Sequence, residues 1–159
     1  MDDHTLIAIE SVSKQYGLAR NSVLALRDVS LRIRGGEFIS IIGPSGCGKS
    51  TLLKMAAGLD RPTSGEIRFC GEPVTGPHPK ISMVFQSFAL FPWRTVANNV
   101  GYGLEARGVT EAERMDSVEK YLEMVGLAGY GQLYPKQLSG GMKQRVGIAR
   151  ALAVDPDVI

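Results

Sequence analysis

An α/β fold is what the sequence predicts, and three observations predict it. A short β-branched apolar run at 38–42 leads into a glycine-rich loop and then a helix-forming segment. A second apolar run follows at 81–85, and two amphipathic helical stretches then occupy 96–125 with no strand between them. The two runs are read as buried parallel strands and the helices as an α-helical insert. Alternating stretches ahead of them, at 6–12 and 28–33, are read as an antiparallel β flap.

Residues 6–12 alternate imperfectly, and Val29, Leu31 and Ile33 share one strand face. Between these strands Tyr16 ends the first one. It has two readings, ordinary packing or a ring on which a base can stack. Gly35 and Gly36 then turn the chain into the run at 38–42.

The loop that follows is Gly43, Pro44, Ser45, Gly46, Cys47, Gly48, Lys49, Ser50 and Thr51, the pattern G-x-x-x-x-G-K-[ST]. Its glycines permit positive φ and turn successive N–H groups inward, toward phosphate oxygens. The helix N-terminus behind them favours the same anion. Lys49 then neutralises terminal phosphates, and the Ser50 hydroxyl is an oxygen ligand suited to Mg²⁺. By chance the bare pattern would arise in about one chain of this composition in a hundred. Strand, loop and helix together predict a P-loop NTPase core, whose mostly parallel sheet begins here. The helix is expected from Ser50 to Ala57, with Gly58 at its C′ position.

Turn chemistry at 60–65 precedes an alternating strand at 66–70, and the Pro-rich 71–80 is a surface loop. Gln86 ends the second apolar run. A polar residue at the carboxyl end of an α/β strand is either a ligand contact or a solvated side chain. Val96, Val100 and Leu104 mark a helix face, while Thr110 and Glu113 form a capping box for a helix that Gly126 stops. Phe88, Leu90, Phe91, Pro92 and Trp93 lead into this insert. So many large apolar groups in a loop either pack the insert or form a protein-binding surface. Ser139 is an N-cap for a helix whose apolar face is Met142, Val146, Ala149 and Ala153. Gly140 and Gly141 at its start are costly unless the backbone approaches something closely, for which an anion is a candidate.

Composition narrows the function classes. The 159 residues are 44% hydrophobic, enough for one domain with a real core. Eighteen basic against sixteen acidic residues give +2, too balanced for a nucleic-acid surface. No apolar run reaches membrane-spanning length, and the first residues lack the basic and apolar regions of a secretory signal. A cytoplasmic chain is expected, tied to a membrane only through a partner. Cys47 and Cys70 lack metal-site spacing and are expected to be reduced thiols. Cys47, beside Lys49 and a helix start, is either a reactive thiolate or a small residue tolerated in the loop. His4 and His78 are read as solvated.

The P-loop, Gln86 and the run Leu-Ser-Gly-Gly-Met-Lys-Gln-Arg at 138–145, in this order around a helical insert, resemble the nucleotide-binding subunit of ATP-binding-cassette (ABC) transporters. The resemblance implies ATP and Mg²⁺ as ligands, with Tyr16 stacked on adenine and Gln86 meeting Mg²⁺ and the attacking water. It implies that Phe88 to Trp93 receive a transmembrane permease subunit. Ser139, Gly140 and Gly141 are implied to complete the ATP site of a second, identical subunit. A separate chain without membrane helices is more like an importer, with a periplasmic or extracellular solute-binding protein as an indirect partner. It is then peripheral on the inner face of the membrane. The segments at 90–100 and 134–139 resemble the nitrate, sulfonate and taurine branch.

The expected organisation is a β flap at 5–35, a P-loop core at 36–86, a helical insert at 87–138 and the signature helix with the start of a further strand at 139–159. In the family that strand carries the Mg²⁺-binding aspartate and a water-polarising glutamate. A fold incomplete at its C-terminus, a fragment of a longer product, is therefore expected, binding nucleotide with little hydrolysis on its own. A non-hydrolysing module and an ABC protein unconnected with transport are the alternatives. Exposed rings at Phe91 and Trp93 favour transport.

Overall fold

The structure, a computed structural model, describes residues 5–17 and 22–159. They fall into two compact units, Met1–His78 and Pro79–Ile159. His4 lies outside the described residues.

In the first unit, β1 (Thr5–Tyr16), β2 (Val23–Arg34), β3 (Ser64–Phe69) and β4 (Glu72–Pro73) form an antiparallel sheet in the order β2-β1-β3-β4. The imperfect alternation of β1 has a local cause. Ser11 takes φ +47, and the register with β2 shifts between Ile9 and Val12. One extra residue at this bulge puts Ile7, Ile9 and Val12 all in the core. Ile7 and Ile9 pair with Phe69 and Ile67, which are buried as well. The strand expected at 66–70 thus belongs to the flap sheet. Helix α1 (Lys49–Ala56) buries Leu52 and Met55 and stops where Gly58 takes φ +71, as its sequence predicts.

The run at 38–42 is a correction. It joins no ladder, and Phe38 and Ile42 are 95% and 90% exposed. A parallel strand is held by neighbours on its edges and layers on its faces. None of the named strands pairs with 38–42. The run at 81–85 fares similarly: its parallel pairing is the single bridge from Ile81 to Val158, with Ser82 N–H donating to Val158 C=O at 2.9 Å.

The second unit is helical: α2 (Val96–Val100), α3 (Tyr102–Ala106), α4 (Glu111–Met124), a 3₁₀ turn (Pro135–Gln137) and α5 (Gly140–Ala153). Val96, Val100, Val118, Leu122, Leu127 and Val146 make its core. The stripe of Val96, Val100 and Leu104 spans two short helices rather than one. They break at Gly101, where a Cβ would come within 3.1 Å of Val118 on α4. The Thr110 hydroxyl caps α4, accepting the Glu113 N–H and donating to the Glu113 carboxylate at 2.7 Å. No described helix is long and apolar enough to cross a membrane.

Candidate functional site

The glycine-rich loop ends at Gly48, the N-cap of α1, with φ +94 and no side-chain cap. Two constraints require glycine there. A left-handed φ disfavours any Cβ, and a Cβ at this place would stand 2.6 Å from Ala25 O and from Leu26 Cδ2 on β2. The first helical bond runs from Leu52 N–H to Gly48 C=O. The N–H groups of Lys49, Ser50 and Thr51 therefore precede the helical ladder as donors. The first turn holds no acidic residue. Lys49 Nζ bends back to Gly43 O at 2.8 Å, Pro44 O at 2.7 Å and Cys47 Sγ at 3.6 Å. Aligned N–H donors, a helix N-terminus and an ammonium with no carboxylate among them fit a polyphosphate. Cys47 and Cys70 are exposed free thiols.

Tyr16 pairs with Val23 on β2, and Lys14 with Leu26. Ala25 and Leu26 abut Gly48, and Tyr16 lies on the neighbouring strand opposite Val23, two to three residues along β2 from them. The ring is 41% exposed, and its hydroxyl donates to Asp60 Oδ2 at 2.7 Å. Lys14 Nζ donates to Asp60 Oδ1 at 2.6 Å and to Arg61 O at 2.7 Å, and stands 4.8 Å from the Tyr16 ring centroid. The Lys14 hydrogen bond, then that of Tyr16, holds the Asp60 carboxyl below its ordinary range. His78 is exposed, as its Pro-rich surroundings suggest, with its ring 4.7 Å from that of Phe69.

In the second unit Gln86 sits in an exposed turn. Phe88 and Ala89 follow with φ +62 and +45, strained for side-chain-bearing residues. Arg150 on α5 holds this conformation, donating to Ala89 O at 2.7 Å and Phe88 O at 2.9 Å. Burial lowers its guanidinium from the usual value. The next stretch is held by Asn99, which is fully buried. Its Oδ1 accepts Phe91 N–H at 2.8 Å, and its Nδ2 donates to Phe91 O, Arg94 O and Thr95 O at 2.9 to 3.1 Å. Phe91 packs on Tyr102 with ring centroids 4.6 Å apart, while Trp93 stays 72% exposed. Beside Trp93 opens a groove of about 440 Å³, walled in part by Tyr134, Arg114 and the Arg94–Glu105 ion pair at 2.6 Å. That pair raises the Arg94 pKa and lowers that of Glu105.

At the start of α5 the Ser139 hydroxyl accepts Met142 N–H at 3.2 Å. Gly140 and Gly141 are exposed, and a Cβ on either would find nothing within 4 Å. The chain's own packing calls for neither glycine.

A protein-family model described as ABC transporter matches residues 26–159. The chain belongs to the ABC transporter family. It is 48% identical to the nitrate import ATP-binding protein NrtD of Synechocystis sp., over 96% of this chain and 58% of that protein. To the spermidine/putrescine import ATP-binding protein PotA of Thermobifida fusca it is 47% identical, over 96% of this chain and 41% of the relative. The chain thus spans little more than half of NrtD and less of PotA. Among solved structures it is similar to the dimeric post-hydrolysis state of the ATP-binding cassette MJ0796 bound to ADP and Pi, with TM-score 0.87 and 37% identity, covering 95% of this chain and 71% of that one. The fold is accordingly the ABC ATPase fold, a P-loop core with an N-terminal antiparallel flap and a helical region.

The first unit carries the P-loop residues and Tyr16, the last residue of β1. The second carries Gln86, the apolar loop and the Ser139 cap. Sequence reasoning missed Asp60, Asn99 and Arg150. Asp60 lies in a run of turn residues, and the other two lie among apolar helix positions where nothing local marks their reach.

Proposed function

We propose that this chain is the ATP-binding subunit of an import-type ABC transporter. The observation that carries the reading is the glycine-capped start of α1 with Lys49 folded into its loop. ATP lies with its phosphates on residues 43–51 and its adenine on Tyr16. Ser50 and Gln86 are the residues that would hold Mg²⁺ through side-chain oxygens, and the ion would supply charge neutralisation on the phosphates. Gln86 is also the residue proposed to meet the attacking water. No described carboxylate is assigned a catalytic role, and hydrolysis of ATP to ADP and phosphate is a property proposed for the whole protein.

Ser139, Gly140 and Gly141 close the ATP site of a second copy in a head-to-tail pair. The empty space around both glycines supports this, since it leaves the backbone open to a partner's nucleotide. Trp93, exposed beside its groove, supports docking of a permease subunit on residues 88–93. The chain then works at the inner membrane face, with a solute-binding protein as an indirect partner. Similarity to NrtD supports the nitrate, sulfonate and taurine branch. PotA is almost equally similar, which fits a solute chosen by the other subunits.

The test is equilibrium binding of a fluorescent ATP analogue with Mg²⁺. Lys49→Ala is expected to weaken it at least about tenfold, the loss of one charge-assisted contact. Unchanged affinity in Lys49→Ala would contradict the reading.

A further inference from the structure

We infer that Asp60 is a positioning residue for the nucleotide base: its carboxylate grips the Tyr16 hydroxyl and fixes the ring as a one-sided stacking platform. This rests on the stacking role proposed for Tyr16 and adds a residue and a specificity to it.

An aromatic ring 41% exposed at a strand end has little packing to set its rotamer. Stacking a base on a mobile ring costs the entropy of ordering it first. Here the ring is ordered in advance. Its hydroxyl reaches Asp60 Oδ2 at 2.7 Å, across 44 residues of sequence. The carboxylate is itself fixed, because Oδ1 accepts from Lys14 Nζ at 2.6 Å and from Arg61 N–H at 2.8 Å. Lys14 is fixed in turn by Arg61 O at 2.7 Å. The Lys14 ammonium stands over one face of the ring, so the opposite face is the one assigned to a planar base.

The same cluster sets the distance from base to phosphates. Helix α1 starts at the phosphate loop, and its exit is fastened by Leu59 N–H to Lys54 O at 2.8 Å just before Asp60. Thr63 N–H to Ser13 O at 2.8 Å and Gln15 N–H to Thr63 Oγ1 at 3.0 Å then bind that exit to β1 beside Tyr16. The eight residues of α1 measure about 12 Å. Base platform and phosphate cradle are thus joined through one rigid helix, and Asp60 is the joint.

The experiment is calorimetric titration of the purified protein with Mg²⁺–ATP and, separately, with inorganic tripolyphosphate, which has the phosphates and no base. Tyr16→Ala, Tyr16→Phe and Asp60→Ala are compared with the unaltered chain. Tyr16→Ala is expected to weaken ATP binding about tenfold. Tyr16→Phe and Asp60→Ala should each weaken it about fivefold, the equivalent of ordering one side chain. Their double variant should be no weaker than either single one, and tripolyphosphate affinity should not move. If Tyr16→Ala binds ATP normally, the stacking role itself falls and the inference with it. If Tyr16→Ala binds weakly while Tyr16→Phe and Asp60→Ala bind normally, stacking stands and the positioning role of Asp60 is overturned. Equal loss of ATP and tripolyphosphate affinity in Asp60→Ala would make Asp60 a merely structural residue and overturn the inference as well.

Discussion

Helices α1 and α5 both start at glycines, and for opposite reasons. At α1 the glycine is imposed from within, because Gly48 takes φ +94 and a Cβ there would stand 2.6 Å from β2. At α5 the chain imposes nothing: Gly140 and Gly141 face open space, and Ser139 already caps the helix. A glycine that folding requires and one that folding disfavours carry different information. The first explains how a loop is shaped to hold an anion. The second, kept despite its helix cost of about 1 kcal/mol relative to alanine, points to something outside the chain.

Mutations can separate the two. The largest effect is expected for Gly48→Ala, which places a Cβ against backbone in a left-handed residue. Roughly 3 kcal/mol of stability should be lost, read by denaturant unfolding with ATP-analogue affinity falling alongside. If Gly48→Ala unfolds like the unaltered chain, the internal demand is absent and the contrast collapses. Next comes Asn99→Leu, which removes the side-chain partner of the Phe91 N–H and of the Arg94 carbonyl, while the Phe91 and Thr95 carbonyls keep the backbone N–H groups of Arg94 and Asn99. About 2 kcal/mol is expected to be lost, and faster amide exchange at Phe91 would locate the damage. Gly141→Glu lies at the other end of the scale. It adds a helix former and an acid in the first turn of α5, so stability should stay level or rise by about 0.5 to 1 kcal/mol. Marked destabilisation there would show that the chain itself needs that glycine.

The same contrast explains what was legible in the sequence. Local signals were readable: the loop pattern at 43–51, the caps at Thr110 and Ser139, the stops at Gly58 and Gly126, and Tyr16 at a strand end. Each is set by residues within about one helical turn. What was not readable is non-local. Whether 38–42 and 81–85 join a ladder depends on neighbours elsewhere in the chain, and the apolar run alone could not tell. Asp60 holds Tyr16 across 44 residues and Arg150 holds Ala89 across 61. A long polar side chain in a turn or on a helix gives no sign of which distant backbone it will reach. The bulge at Ser11 lies between these cases: the broken alternation was visible, its cause only in the register.

In the proposed arrangement the two glycine-rich helix starts serve one nucleotide site built by two copies of the chain. Sedimentation velocity with a hydrolysis-resistant ATP analogue decides this, comparing the unaltered protein with Gly141→Glu. Nucleotide-dependent dimers are expected for the unaltered protein. Gly141→Glu should give monomers that still bind the analogue, because the P-loop is intact while the new carboxylate repels the partner's phosphates. Dimers of Gly141→Glu that form as readily as those of the unaltered protein would contradict it.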